Sequence, residues 1–225
     1  MADDEGKVRD LAEKVRKGDI TPKEAQRELR RRGLGHEETW KDFIGFVVWG
    51  VLCFLSGFAK QTGLGILSFF AQLPSMEFPP IVIYISFALI IAMIPPAVVH
   101  YYFNSRKGGC GSEDHTVILL KNGPYAIVRH PGGVAWITGF LASTIAISDH
   151  MPFTILSVAG TIVLLVFCHW GGLIEENELN LKKWGDEYRQ YMKEVPRINF
   201  VLGLWRWAKR RNKQGSEVDP QTVKV

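Results

Sequence analysis

The sequence predicts an all-α, polytopic membrane protein with about four transmembrane helices, a cytoplasmic N-terminal helical hairpin and a C-terminal amphipathic helix. Three observations predict it. Charge is segregated: hydrophobic residues make up 47% of the 225 and charged residues 22%, values of an ordinary soluble chain, yet residues 1–42 and 175–225 hold most of the charge. Four apolar runs lie between them. The Lys and Arg residues at the ends of those runs fall on one side of the implied topology.

The hairpin comes first. Leu11, Val15 and Ile20 give residues 5–20 a thin apolar stripe. Thr21 is placed as an N-cap, Pro22 suits the first helical position, Glu24 completes a capping box, and Gly33 or Gly35 stops the second helix. Two readings stand: a solvated hairpin of mixed charge, or a docking or membrane-surface element using Arg27, Arg30, Arg31 and Arg32. The charged start, Met-Ala-Asp-Asp-Glu-Gly, is not the pattern of a signal peptide.

The apolar runs are Phe43–Ala59, Ile81–Phe103, Gly132–Ser148 and Met151–Ile174. A span needs roughly 20 mainly apolar residues, which the second and fourth runs supply readily and the first and third approach. Leu64–Leu73 is too short to cross alone and reads as a re-entrant or interfacial piece. Pro95-Pro96 predicts a kink in the second run. Lys and Arg concentrate in the N-terminal region, the loop 104–131 and the C-terminus. Four spans put all three on the cytoplasmic face, in the plasma membrane of a prokaryote or the endoplasmic reticulum of a eukaryote. The domain organisation is then a hairpin over 1–40, a transmembrane unit over 41–198, and an interfacial basic and aromatic segment with a disordered tail over 199–225.

After the last span, Leu181, Trp184, Tyr188, Tyr191 and Val195 recur at three- and four-residue steps, giving a helix with one apolar face that Gly185 bends. Leu202, Leu204, Trp205 and Trp207 mix with Arg206, Lys209, Arg210 and Arg211, as at a membrane interface. Residues 212–225 have the composition of disorder. The net charge of +4 is too small to argue for nucleic acid. Cys53, Cys110 and Cys168 have no metal-site or disulfide spacing.

Two segments carry candidate chemistry. Lys121-Asn122-Gly123-Pro124-Tyr125 is followed by Arg129-His130-Pro131-Gly132-Gly133 where the third run begins. Pro131 fits a helix N-terminus, and Gly132-Gly133 let a ligand approach the backbone. The same residues also suit an interfacial anchor, with Arg129 reaching phosphate and Tyr125 in the aromatic belt. Glu175-Glu176 and Glu178 close the last run. Carboxylates there are suited to ribose hydroxyls or a cationic group, or else form a solvated first turn.

Together and in order, Gly123-Pro124-Tyr125, Arg129-His130-Pro131, Trp136, Glu175-Glu176, Trp184-Gly185-Asp186-Glu187-Tyr188, Tyr191 and Val195-Pro196-Arg197 resemble the isoprenylcysteine carboxyl methyltransferase family. The related phospholipid N-methyltransferases share much of the pattern. The resemblance covers about residues 115–198. It implies S-adenosylmethionine as cofactor, bound at the cytoplasmic face. It also implies that Tyr125, His130, Pro131, Gly132 and Gly133 line the site, with His115 and Leu120 upstream and Glu176 as the acidic contact. Arg129, Trp136 and Arg197 would serve a lipophilic acceptor that enters from the bilayer. Membrane lipids and that acceptor are the partners implied, and nucleic acid is not.

The chain departs from the family at three places. Gly133 stands where a Tyr is usual. Val117 occupies the slot of a family His, with His115 two residues further back. Trp170-Gly171-Gly172-Leu173 lacks the Arg that prenylcysteine members carry before the acidic pair. Methyl transfer from a sulfonium is an in-line displacement that needs positioning and exclusion of water more than acid–base help. An amine or thiol acceptor would need a base, for which Glu176 and His169 are the catalytic candidates. Two other readings are a membrane reductase of the sterol-reductase kind using NADPH, and a lipid-binding protein without catalysis.

Overall fold

The computed structural model describes residues 2–34, 43–104 and 116–216. Nine α-helices occupy them: α1 (Ala2–Lys17), α2 (Pro22–Arg31), α3 (Ile44–Thr62), α4 (Ser68–Ala71), α5 (Pro80–Phe103), α6 (Pro131–Ala146), α7 (Ile155–Ile174), α8 (Leu181–Glu194) and α9 (Phe200–Ser216). The chain is thus an all-α membrane protein in outline. Among the described residues the one departure is a pair of two-residue strands, β1 (Ser75–Met76) and β2 (Phe153–Thr154).

Three helices, α3, α5 and α7, are long and apolar enough to cross a membrane. α6 is apolar but has 16 residues, which at 1.5 Å per residue spans only about 24 Å. α5 exposes large aliphatic side chains all round, with Ile81, Ile91 and Val98 each more than 60% exposed. An unsatisfied apolar surface of that kind belongs against lipid. The expected kink does not interrupt it: helix assignment runs through Pro95 and Pro96. The helices pack as two pairs, α3 on α7 and α5 on α6. Trp49 and Cys53 of α3 and Leu164 of α7 centre the first contact, with Phe46, Phe54 and Phe140 around them.

The two weakly charged connections meet at one end of this bundle. β1 and β2 pair antiparallel, with Ser75 opposite Thr154 and Met76 opposite Phe153. Thr154 also caps α7: its hydroxyl accepts from the Leu156 amide at 3.3 Å, and Ser157 Oγ accepts from the Thr154 amide at 3.2 Å. The stretch Leu64–Leu73 forms a 3₁₀ turn and the short α4, with Ile66 and Phe69 exposed, and does not cross.

The opposite end carries the hairpin, α8 and α9. The hairpin forms as its punctuation requires. Thr21 Oγ1 accepts from the Glu24 amide at 3.3 Å, Glu24 Oε2 accepts from the Thr21 amide at 2.7 Å, and Gly33 ends α2 at φ 68°; Gly35 lies outside the described residues. Of the two readings, docking is the one observed. Val8, Leu11 and Ala12 of α1 and Ala25 and Leu29 of α2 share one core with Val117, Trp184, Tyr188, Tyr191 and Val195.

α8 forms as its periodicity predicts, with Trp184, Tyr188 and Tyr191 buried. Gly185 sits in its middle at φ 47°, ψ −122°, a conformation open essentially to glycine alone. A side chain there would also strike Glu5 of α1, so Gly185 both bends α8 and admits the hairpin. α9 corrects the expectation of disorder from residue 212, because the helix continues to Ser216. Its Gly203 packs directly on the Ile127 carbonyl, and Arg210 donates to the carbonyls of Ala126 and Glu194, each at 2.6 Å.

Candidate functional site

The site lies where α6 begins and α7 ends. Residues 129–130 run beside residues 196–197, since the Arg129 amide donates to the Pro196 carbonyl and the His130 amide to the Arg197 carbonyl, both at 3.0 Å. Pro131 opens α6 and makes His130 its N-cap residue. Past the end of α7, Glu175–Asn180 forms a π-helical turn. The wider turn puts residues five apart on one face, so Asn180 Nδ2 donates to Glu175 Oε1 at 3.0 Å. π-turns are rare and concentrate at functional sites.

Glu176 is the hub. It is fully buried. Its Oε1 accepts from Arg129 Nε at 2.8 Å and lies 3.1 Å from His130 Nε2. Its Oε2 accepts from Arg129 Nη2 at 3.2 Å, from Arg197 Nε at 3.0 Å and from Arg197 Nη2. Arg129 also donates through Nη1 to the carbonyls of Met192, at 2.8 Å, and Val195. A buried carboxylate needs this density of donors to keep its charge. Burial alone would raise the Glu176 pKa. His130, Arg197 and Arg129 outweigh it and hold the carboxyl well below the usual range.

His130 bridges two carboxylates, with Nδ1 3.3 Å from Glu175 Oε2 and Nε2 3.1 Å from Glu176 Oε1. Both nitrogens must donate, so the ring is an imidazolium. Burial opposes that charge, but Glu175 and then Glu176 prevail and push its pKa up to about 10. Because the folded-state pKa is raised, the charged His130 stabilises the fold: the contribution is complete below the ordinary value of 6.5 and is lost as pH rises from there through about 10. The melting midpoint of detergent-solubilised protein should accordingly fall from pH 7 to pH 10 more steeply in the wild type than in His130→Gln. Equal slopes would mean that His130 is not charged in the folded state.

Beside the hub is a cavity of about 40 Å³, bordered by His100, Asn104, Leu120, Tyr125, Arg129, His130, Glu175, Asn180 and Tyr188 among others. That is room for a few waters. Glu175, and not Glu176, is the carboxylate on its wall. The lone pairs of Glu176 are occupied by guanidinium and imidazolium donors, which leaves it a poor general base; its part is to position Arg129, His130 and Arg197.

The sequence-predicted residues separate accordingly. Leu120, Tyr125, Arg129 and His130 reach the cavity. Pro131 and Gly132 are buried in the first turn of α6, and Gly133 lies 3.6 Å, measured from the position a Cβ would take, from the His130 Cβ. Arg197 belongs to the hub through Glu176. Trp136 does not join them: it is 58% exposed and stacks on Phe140 at 6.0 Å. His169 is exposed on α7 and does not border the cavity, so neither His169 nor Glu176 is placed to act there as a base. His115 lies outside the described residues. Sequence reasoning missed His100, Asn104, Asn180 and Tyr188. An available signal was His100 itself, an ionisable side chain inside an apolar run, with an amide one helical turn later. Among the described residues no group of His, Cys, Asp and Glu side chains is arranged to hold a metal ion.

No family model matches the chain, and no curated protein or solved structure matches it.

Proposed function

We propose that the chain is an integral membrane methyltransferase that uses S-adenosylmethionine and acts on a lipophilic acceptor. The observation that carries this reading is the Arg129–His130–Glu175–Glu176–Arg197 cluster, set beside a cavity at the end of apolar helices. The motif residues that suggested the cofactor, far apart in sequence, meet there. The cluster is saturated with internal ion pairs and offers positioned polar groups without a spare base. A displacement at a sulfonium methyl needs little more than that. Glu175 and Asn180 on the cavity wall suit ribose hydroxyls or the amino group of the cofactor. A nucleoside-sized ligand exceeds the present cavity, so the reading requires the wall around Leu119, Leu120 and Trp184 to part on binding.

The acceptor enters at headgroup depth with its tail in the bilayer. Arg129 and Arg197 both face Glu176, which leaves a prenylcysteine carboxylate without a ready partner; a lipid arriving as the free amine, whose lone pair attacks the methyl without a base and whose product ammonium gives its proton to water, is the better acceptor. Equilibrium binding of S-adenosylhomocysteine and, separately, NADPH to purified protein tests the cofactor. Binding of NADPH alone would replace this reading with the reductase, and binding of neither would leave a non-catalytic lipid-binding protein. Incubation with labelled S-adenosylmethionine and farnesylcysteine analogue, phosphatidylethanolamine or total lipid tests the acceptor. Robust ester formation on the farnesylcysteine analogue would overturn the preference against it.

In this reading α3, α5, α6 and α7 all cross, and the hairpin, site and C-terminus are cytoplasmic. The native Cys110 is expected to resist an impermeant maleimide in intact cells, while a Lys60→Cys variant reacts. The reverse pattern would invert the topology.

A further inference from the structure

A second set of polar side chains reaches the cavity from α5, outside the resembling segment. His100, Asn104 and Tyr125 are 7%, 3% and 8% exposed. The Tyr125 hydroxyl donates to Asn104 Oδ1 at 2.6 Å and lies 2.9 Å from His100 Nδ1, and Asn104 Nδ2 lies 3.3 Å from His100 Nε2. Chemistry fixes the protons. An amide nitrogen can only donate, so His100 Nε2 is the acceptor; the tyrosine proton is already committed to Asn104, so His100 Nδ1 carries hydrogen and donates to the tyrosine oxygen. These three hydrogen bonds join the three side chains in a ring.

The ring has a defined target. Tyr125 sits in the 3₁₀ turn Gly123–Ala126 that leads to Arg129 and His130. α8 and α9 hold the backbone of that turn, through Tyr191 Oη to the Tyr125 carbonyl at 2.7 Å and Arg210 to the Ala126 carbonyl. The ring holds the side chain. Resting on the methyltransferase reading, we propose that His100 and Asn104 are positioning residues for the cofactor: they fix the Tyr125 phenol in the cavity wall, and through it couple the second apolar span to cofactor binding.

The test is S-adenosylhomocysteine affinity in wild type, Tyr125→Phe, His100→Leu, the double variant and His100→Asn, whose amide nitrogen stands near the lost Nδ1 and can donate to the tyrosine. Each of the first two single variants should weaken binding about tenfold, as for loss of one buried hydrogen bond. The double variant should be no weaker than the weaker single, because either change opens the same ring. His100→Asn should recover most of the loss. Should His100→Leu fail to fold, Tyr125→Phe and His100→Asn decide the question. Unchanged affinity, additive losses, or no recovery with Asn would overturn the inference while leaving the cofactor reading intact. Absence of binding in the wild type would overturn both.

Discussion

Replacement of Glu176 by alanine is expected to cost about 3–5 kcal/mol of folding stability, the penalty for removing one partner of a buried ion pair. The magnitude follows from what is left behind. Arg129 has a side chain 7% exposed and Arg197 one 18% exposed, and both direct guanidinium nitrogens at Glu176. Without the carboxylate, two largely dehydrated cations and the His130 imidazolium face one another with Glu175 as their remaining nearby counter-charge. A loss of that size is a large share of the 5–15 kcal/mol typical of a folded domain. Melting in detergent, followed by tryptophan fluorescence, should show the midpoint fall sharply, with Glu176→Gln only partly better because an amide cannot balance the charge. A near-wild-type midpoint for Glu176→Ala would mean that the hub is wet and loosely paired.

The second large effect concerns His130. On the proposed methyltransferase reading, a folded His130→Ala variant should bind S-adenosylhomocysteine more weakly by about 1–3 kcal/mol, or roughly five- to 150-fold. His130 borders the cavity and orients Glu175 through Nδ1. Its loss removes a wall group and releases the carboxylate beside it. Calorimetry or a fluorescence displacement assay would measure the change. Unchanged affinity would remove His130 from the cofactor site even if the protein binds the ligand.

What could be read in advance was whatever is encoded locally. The hairpin cap at Thr21, Pro22 and Glu24 is written in four consecutive positions. The apolar face of α8 follows from a period of 3.6 residues, and the bend at Gly185 follows from a residue that tolerates what others do not. The rest depended on geometry that no local window contains. The π-turn adds one residue after the acidic pair and so brings Asn180 back onto Glu175. His169 is near the acidic pair in sequence, but on α7 it lies on an exposed face. His100 stands out as ionisable within its apolar span, but its partner Tyr125 lies 25 residues later, beyond any local pattern. The hairpin's stripe was visible, but its destination was not, since amphipathicity says that a face will be covered and not by what.

The order of synthesis gives the shared carboxylate another meaning. Arg129 and Glu176 are 47 positions apart, and Glu176 and Arg197 a further 21. Arg129 and His130 leave the ribosome first, Glu175 and Glu176 only after another hydrophobic hairpin, and Arg197 last. During that interval the nascent chain holds unmatched charges at the membrane surface, where water and lipid headgroups can still shield them. The arrival of Arg197 permits them to leave water together. Biogenesis should thus end in a locking step: protease resistance around the cluster ought to appear after insertion of α7, when residues 196–197 pair with 129–130, rather than accumulate gradually as each span enters the bilayer.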